Sequence, residues 1–189
     1  MSWAEEELKY TDLGDQRRNQ RLVKIVEDLI AQPNASVPQA SRDNAAMQGM
    51  YDFWANRRIR PLSILEGHSG RTVERCLEHP TVLSIQDTTE LDFSAHPSTR
   101  GLGAISDPSA IGLKVHLTLC CSDAGVPLGI LHETVWAREK TRRGRGYRGY
   151  GNYPDEMSVS MPQTFVKYTF QFLLHFVVYG VLARGIETT

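Results

Sequence analysis

The chain has 189 residues, enough for one ordinary domain or two small ones. Hydrophobic residues make up 41% and charged residues 23%, a balance that excludes a wholly disordered chain. The formal net charge of −1 conceals three regimes: residues 1–75 carry no net charge, residues 76–137 carry −5, and residues 138–189 carry +4. The acidic N-terminus lacks the apolar stretch of a signal peptide, so we expect a cytoplasmic protein. Three cysteines are too few for a disulfide framework, and we expect them to be small buried side chains.

Residues 1–80 predict four short helices joined by short connections. The clearest spans residues 15–31, where Asp15 is the expected N-cap and apolar side chains recur every three or four positions: Leu22, Ile25, Val26, Leu29 and Ile30. A second helix is expected to begin at Ser36, and a third ends near Asn56. The fourth begins at Pro61 and ends near Leu77.

The pattern changes after Pro80. Residues 81–87 form a short apolar run that predicts a buried strand ending in an acid, and residues 94–111 predict a loop. Residues 112–121 and 127–136 alternate like two strands, and the turn between them predicts a β-hairpin. Residues 141–153 are a Gly/Arg/Tyr run, expected to be a basic linker or a nucleic-acid-binding segment. The apolar stretch 165–182 carries Gln171 and His175, so we expect no membrane span there.

Asp87 is the sharpest candidate for chemistry, in the run Ile-Gln-Asp-Thr-Thr at residues 85–89. A carboxylate at the end of a buried strand is costly unless a partner, such as a metal ion, lies beside it. Oxygen ligands suit Mg²⁺, so one interpretation makes Asp87 a metal ligand in a phosphoryl-transfer site. The other makes Asp87 the cap of a turn that includes Thr88 and Thr89.

A second candidate is the polar side of the helix at residues 15–31, where four basic side chains crowd together: Arg17, Arg18, Arg21 and Lys24. One interpretation is a helix that lies against DNA, with arginines on phosphates or guanine edges. The other is a solvated face whose cations pair with Glu27 and Asp28. The neutral net charge of this region does not decide between them.

Seven segments, taken together in this order and spacing, resemble the cut-and-paste DDE transposases of bacterial insertion sequences and composite transposons. The resemblance covers about residues 3–138. The matching blocks are Trp-Ala at residues 3–4, LGDQRRNQRLV at 13–23, AMQGMYDFWAN at 46–56, HPTVLSIQDTTELDF at 79–93, LGAISD at 102–107, GLKVHLTL at 112–119 and GILHETVWAR at 129–138.

The resemblance implies a helical N-terminal domain, residues 1–78, that binds double-stranded DNA at transposon terminal inverted repeats. It implies that residues 79–138 are the first strands of an RNase H-like catalytic core, where two Asp and one Glu hold Mg²⁺ or Mn²⁺ for DNA cutting and joining. Asp87 matches the first catalytic Asp and metal ligand. Arg18 and Arg21 match basic residues of the end-binding helix, and Arg17 matches less closely. The implied location is the bacterial cytoplasm, at the nucleoid.

The resemblance stops after Arg138, and the blocks that carry the second Asp and the Glu have no counterpart. One acid of three cannot hold two metal ions, so we expect DNA binding without productive metal binding or catalysis. The expected fold class is therefore α+β, a helical DNA-binding domain followed by an incomplete RNase H-like β-meander. Residues 139–189 are expected to be a frameshifted or disordered tail of a truncated transposase.

The expected partners are transposon-end DNA and, as a dimer or mixed dimer, a full-length transposase. Two alternatives stay open. One is a non-catalytic DNA-binding regulator of transposition. The other is an enzyme with a rearranged metal site, built from Asp87 and carboxylates of the tail.

Overall fold

The computed structural model describes residues 1–96 and 98–138. Helices come first and an antiparallel sheet follows, which confirms the predicted α+β class. The expectations for residues 139–189, including the apolar stretch 165–182, lie outside the described residues. The elements are α1 (Trp3–Glu7), α2 (Gln16–Ala31), α3 (Val37–Ala40), α4 (Asn44–Ala55), α5 (Pro61–Leu77), β1 (Val82–Asp92), β2 (Gly103–Ala104), β3 (Ile111–Ser122) and β4 (Pro127–Trp136).

The four predicted helices are confirmed as α2 to α5, and the caps explain where they begin. Asp15 accepts a hydrogen bond from the Arg17 backbone N–H at 2.8 Å, and Ser36 is the N-cap of α3. The sequence prediction missed α1, whose capping box is formed by Ser2 and Glu5. Apolar side chains from α2, α4 and α5 are buried: Leu22, Ile25, Val26, Met50, Phe53, Trp54, Ile64 and Leu65.

The strands follow one another through antiparallel pairs. Strand β3 lies between β1 and β2 and also pairs with β4, and the register places Gly103 opposite Gly112. The predicted hairpin is confirmed, because β4 pairs with β3 across a short turn that contains Gly125 at a φ of 80°. The two-residue strand β2 lies inside the predicted loop 94–111, where its length gave no periodic signal.

Strand β1 differs from the prediction in length and in burial. It continues to Asp92, so Asp87 lies within the strand rather than at its end. The predicted buried strand is wrong, because Leu83 and Ile85 are 46% and 48% exposed. The physical reason is that neither face of this stretch is covered, because residues 83–88 are exposed in succession and successive side chains of a strand point to opposite faces.

The described residues divide into two compact units. The first comprises Met1–Asp87 and Leu117–Glu133, and the second comprises Thr88–His116, apart from residue 97, and residues 134–138. Within the second unit, Glu90 forms an ion pair with Lys114 and accepts a 2.8 Å hydrogen bond from the Ser106 backbone N–H. The Lys114 hydrogen bond, followed by that from Ser106, lowers the pKa of Glu90 to about 2. The domain boundary predicted at residue 78 stays a prediction.

A buried charged cluster joins the two ends of the first unit. The Glu7 carboxylate, 3% exposed, accepts hydrogen bonds from Arg75 Nη1 at 2.6 Å and Nη2 at 3.0 Å. It also lies 2.6 Å from His68 Nδ1. Burial alone would raise the pKa of Glu7, but the hydrogen bonds from His68 and Arg75 outweigh it and hold the pKa below its usual range.

The same cluster attaches α5 to β4. Arg75 Nε donates to the Leu128 carbonyl oxygen at 2.5 Å, and the Ile130 backbone N–H donates to His68 Nε2 at 3.0 Å. Since Nε2 accepts a hydrogen bond, the proton of the His68 ring is on Nδ1 and is donated to Glu7. Gly129 permits this approach, because a Cβ there would overlap Thr72 Oγ1.

Replacing Glu7 by Gln should cost about 3–5 kcal/mol of unfolding free energy at pH 7, because Arg75 is then left buried and unpaired. Urea unfolding measures the loss, and Glu66→Gln, an exposed change on α5, is the control. Because the pKa of Glu7 is lowered, its contribution is present above its ordinary value of 4.5 and is lost as the pH falls below it. A loss under about 1 kcal/mol would contradict the structural role of the cluster.

Glu133 should make the protein less stable as the pH rises. Both of its carboxylate oxygens are buried without a hydrogen-bond partner in the described part of the chain, and burial raises its pKa to about 7. In the unfolded chain it ionises near its ordinary value of 4.5, so unfolding releases a proton between these two pH values.

The parent protein should therefore lose up to about 3 kcal/mol of unfolding free energy between pH 5 and pH 8 relative to Glu133→Gln. Urea unfolding of both proteins across that range measures the difference, and exposed Glu78→Gln is the control. If the unfolding free energies of the parent and Glu133→Gln change with pH in parallel, the raised pKa of Glu133 is contradicted.

Candidate nucleic-acid interface

The N-terminal end of α2 is held in place by side chains of its own first turn. Arg18 Nη1 donates to the Leu13 carbonyl oxygen at 2.8 Å. The Asn19 amide donates to the Thr11 carbonyl at 3.0 Å and accepts from the Leu13 backbone N–H at 3.0 Å. These bonds fix the loop that enters α2, so the arginines of the first two turns have a rigid base.

A cleft of about 230 Å³ opens where α2 meets α4. Three of the predicted basic residues lie in it together, and its other wall comes from α4 and the residues after it. Its floor is apolar, since Phe53 and Ile59 are 5% and 4% exposed. The lining residues are Arg17, Arg18, Arg21, Gly49, Asp52, Phe53, Asn56 and Ile59.

Gly49 brings the two walls close together. A Cβ at this position of α4 would collide with Nη1 of Arg21, so the Arg21 guanidinium lies directly over the α4 backbone. A glycine inside a helix costs about 0.5–1 kcal/mol relative to alanine. Here the absent side chain leaves room for the Arg21 guanidinium in the lining of the cleft.

Arg17 and Arg21 have no internal partner in the part of the chain that the structure describes. The alternative in which the α2 cations pair with Glu27 and Asp28 is not what the structure shows for Asp28. That carboxylate is 6% exposed and lies 2.7 Å from Nε of Arg42. Arg17 and Arg21 are therefore exposed cations that a ligand can reach. Arg18 differs, because one of its N–H groups already donates to the Leu13 carbonyl oxygen.

Lys24 extends the basic surface beyond the cleft. It is exposed, and it follows Arg17 by seven residues and Arg21 by three, so the three side chains lie along one face of α2. Lys24 is absent from the cleft lining. The structure thus brings Arg17, Arg18 and Arg21 together and places Lys24 further along the same helix.

Sequence reasoning missed several residues beside this surface. Arg57, Arg58 and Arg60 are exposed in the connection between α4 and α5, directly after the cleft residue Asn56. Three arginines in four positions were a visible charge run. The contribution of Asp52 to the cleft had no such signal, because it depends on which face of α4 meets α2.

Asp87, the predicted catalytic carboxylate, is not part of a cluster of functional side chains in the described residues. It is exposed on β1, and no hydrogen bond or ion pair of its side chain is found in residues 1–96 and 98–138. Over the same residues no group of three or more His, Cys, Asp or Glu side chains is placed to hold a metal ion. The donor set around Asp87 therefore does not fit a two-metal site in the described structure.

The family model described as transposase DNA-binding matches residues 1–59 of this chain. The match spans α1 to α4 and every residue of the cleft. The N-terminal segment is therefore a transposase-like domain with a transposase-related DNA-binding role. Among the described residues, no helix is both long and apolar enough to cross a membrane.

Gly49→Ala should weaken DNA binding without destabilising the fold. The added methyl group displaces the flexible end of Arg21, while alanine gains about 0.5–1 kcal/mol of helix propensity. Fluorescence anisotropy with duplex DNA and urea unfolding measure the two effects. The control is the double variant with Arg21→Ala, in which Gly49→Ala should have no further effect on binding. An additive loss in the double variant would contradict the contact between these residues.

Proposed function

We propose that this chain binds the terminal inverted repeats of a mobile DNA element through the cleft and the basic face of α2. The observation that carries the proposal is the pair of exposed, unpaired cations Arg17 and Arg21 inside the segment that matches the transposase DNA-binding family. Arginines without internal partners are free to neutralise phosphates and release counterions, which supplies most of the affinity of such proteins for DNA.

The surrounding structure supports this placement. Lys24 continues the basic face along α2, and the exposed residues Arg57 and Arg58 follow the cleft residue Asn56 in the sequence. Asn56 Oδ1 accepts a 3.0 Å hydrogen bond from the Arg58 backbone N–H, which orders the start of that connection. The phosphates of one duplex would be contacted from both rims of the cleft.

For residues 79–138 we propose the beginning of an RNase H-like core of the DDE class, with Asp87 as its first carboxylate. The support is the ordered set of sequence blocks and the antiparallel succession of β1, β3 and β4. Mg²⁺ or Mn²⁺ would be the cofactor of such a core. Since the described residues place no second and third carboxylate beside Asp87, we derive no cutting step from them.

As an alternative we propose a role in binding rather than cutting. A chain that occupies transposon ends without cutting them would compete with a full-length transposase, alone or in a mixed dimer. It would then act as a regulator of transposition. The change of reading frame near residue 139 stays a prediction, which the genomic sequence in the other frames would test.

The test is binding of the full chain to duplex DNA from the ends flanking its gene, followed across a salt series. Replacing Arg17 and Arg21 together by Ala should weaken binding and lower the slope of log K against log salt by about 1 per arginine. Neither side chain holds the fold, so the loss reports on DNA contact. Arg18 is left intact because its bond to the Leu13 carbonyl supports the α2 entry.

Arg100→Ala with Arg138→Ala is the matched control, since it removes two exposed arginines outside residues 1–59. It should leave the salt slope within about 0.5 of the parent. Asp87→Ala should bind as the parent does, and addition of Mg²⁺ to the parent complex should give no nicked product. Equal salt slopes for all variants would contradict the proposed interface. Nicking that depends on Asp87 would contradict a role in binding alone.

A further inference from the structure

The cleft between α2 and α4 contains an anion among its cations. Asp52 is exposed and lines the same cleft as Arg17 and Arg21. A carboxylate repels phosphate, so a cleft that served only to hold the DNA backbone would be weakened by it. The presence of a hydrogen-bond acceptor here calls for a ligand that also carries a donor.

The position of Asp52 relative to Arg21 is set by α4. Gly49 and Asp52 are three residues apart and therefore lie on one face of the helix, about 4.5 Å apart along its axis. Because the Arg21 guanidinium lies over Gly49, a donor group and an acceptor group stand side by side on that face.

The two groups do not neutralise each other. No ion pair joins Asp52 to an arginine within 4.0 Å in the described chain. One carboxylate oxygen of Asp52 instead accepts a 2.8 Å hydrogen bond from the Gln48 side-chain amide. This bond orients the carboxylate and leaves its second oxygen free to accept from a ligand.

The edge of a G·C base pair in the major groove presents the complementary groups. Guanine offers the acceptors O6 and N7, which arginine contacts in a bidentate manner, and cytosine offers the N4 amino donor, which a carboxylate accepts. An A·T pair offers a methyl group and an acceptor on its thymine, so it gives Asp52 no equivalent partner at that position.

Building on the proposed DNA binding, we propose that Asp52 is a specificity-determining residue that reads one G·C pair together with Arg21. Arg21 donates to O6 and N7 of the guanine, and Asp52 accepts from N4 of the paired cytosine. Arg17 and Lys24, along the same face of α2, contact the flanking phosphates. Affinity and sequence preference then rest on different side chains of one interface.

The experiment selects bound duplexes from a random pool with the full parent chain, with Asp52→Ala and with Glu27→Ala. Glu27 is an exposed carboxylate of α2 outside the cleft, so its replacement makes the same charge change. The parent and Glu27→Ala should select the same G·C pair. Asp52→Ala should lose roughly ten- to a hundredfold of that preference while its affinity for random duplex stays equal or rises.

A base analogue supplies the second measurement. Replacing the selected cytosine by 2-pyrimidinone, which lacks the amino group, should weaken binding of the parent and leave Asp52→Ala unaffected. If Asp52→Ala selects the same sequence as the parent, the inference fails while the proposed DNA binding stands. If the parent binds duplex DNA with no sequence preference, the inference fails together with the recognition of inverted repeats, and only a non-specific DNA-binding role stands. If the parent binds no DNA, the proposed function fails and this inference with it.

Discussion

The hydrogen bonds of the buried Glu7 carboxylate connect α1 to α5 in the first unit, and through the same partners to β4. Glu7 lies in the last turn of the five-residue helix α1, which is too short to be stable by itself. Its hydrogen bonds from Arg75 and its contact with His68 hold α1 against α5, and the same two residues grip the backbone of β4 at Leu128 and Ile130. A buried ion pair of this kind adds little net stability over an apolar pair, but the loss of one partner is severe. The cluster therefore specifies which segments meet, and it leaves few alternatives for the packing around it.

The two walls of the cleft are held by contacts of their own. Its α2 wall begins at a loop fixed by Arg18 and Asn19, and its α4 wall is anchored by the buried side chains of Phe53 and Trp54. Since the two walls are fixed, the absence of a Cβ at Gly49 is what allows the Arg21 guanidinium to lie against α4. A recognition surface that depends on rigid helices can place a donor and an acceptor accurately, which loops do less well.

Much of the helical region could be predicted from local signals, whereas the site could be predicted only on one of its walls. The apolar periodicity of α2 and its cap Asp15 were visible in the sequence, as were the basic residues that share its polar side. The burial of β1 was wrongly predicted, because an apolar run such as residues 81–85 does not show whether other elements cover the faces of the strand. The α4 wall could not be predicted either. Asp52 lies on the exposed face of α4 that carries Gly49, and its placement in one cleft with Arg21 depends on tertiary packing that leaves no periodic trace.

The neutrality of residues 1–75 gave no guidance about DNA binding, and the structure explains why net charge was the wrong quantity. Many acids here are committed to the fold: Glu7 pairs with Arg75, Asp28 with Arg42, and Asp15 and Asp43 cap helices. Such charges are compensated by neighbouring groups, and at physiological salt their fields are screened within about 8 Å. Arg17 and Arg21 have no compensating partner among the described residues, so the surface near them is more positive than the net charge of residues 1–75 suggests. A docking polyanion responds to that local field, because screening hides the rest of the domain from it. The distribution of internal partners, rather than the count of charges, therefore decides which face of this protein can meet DNA.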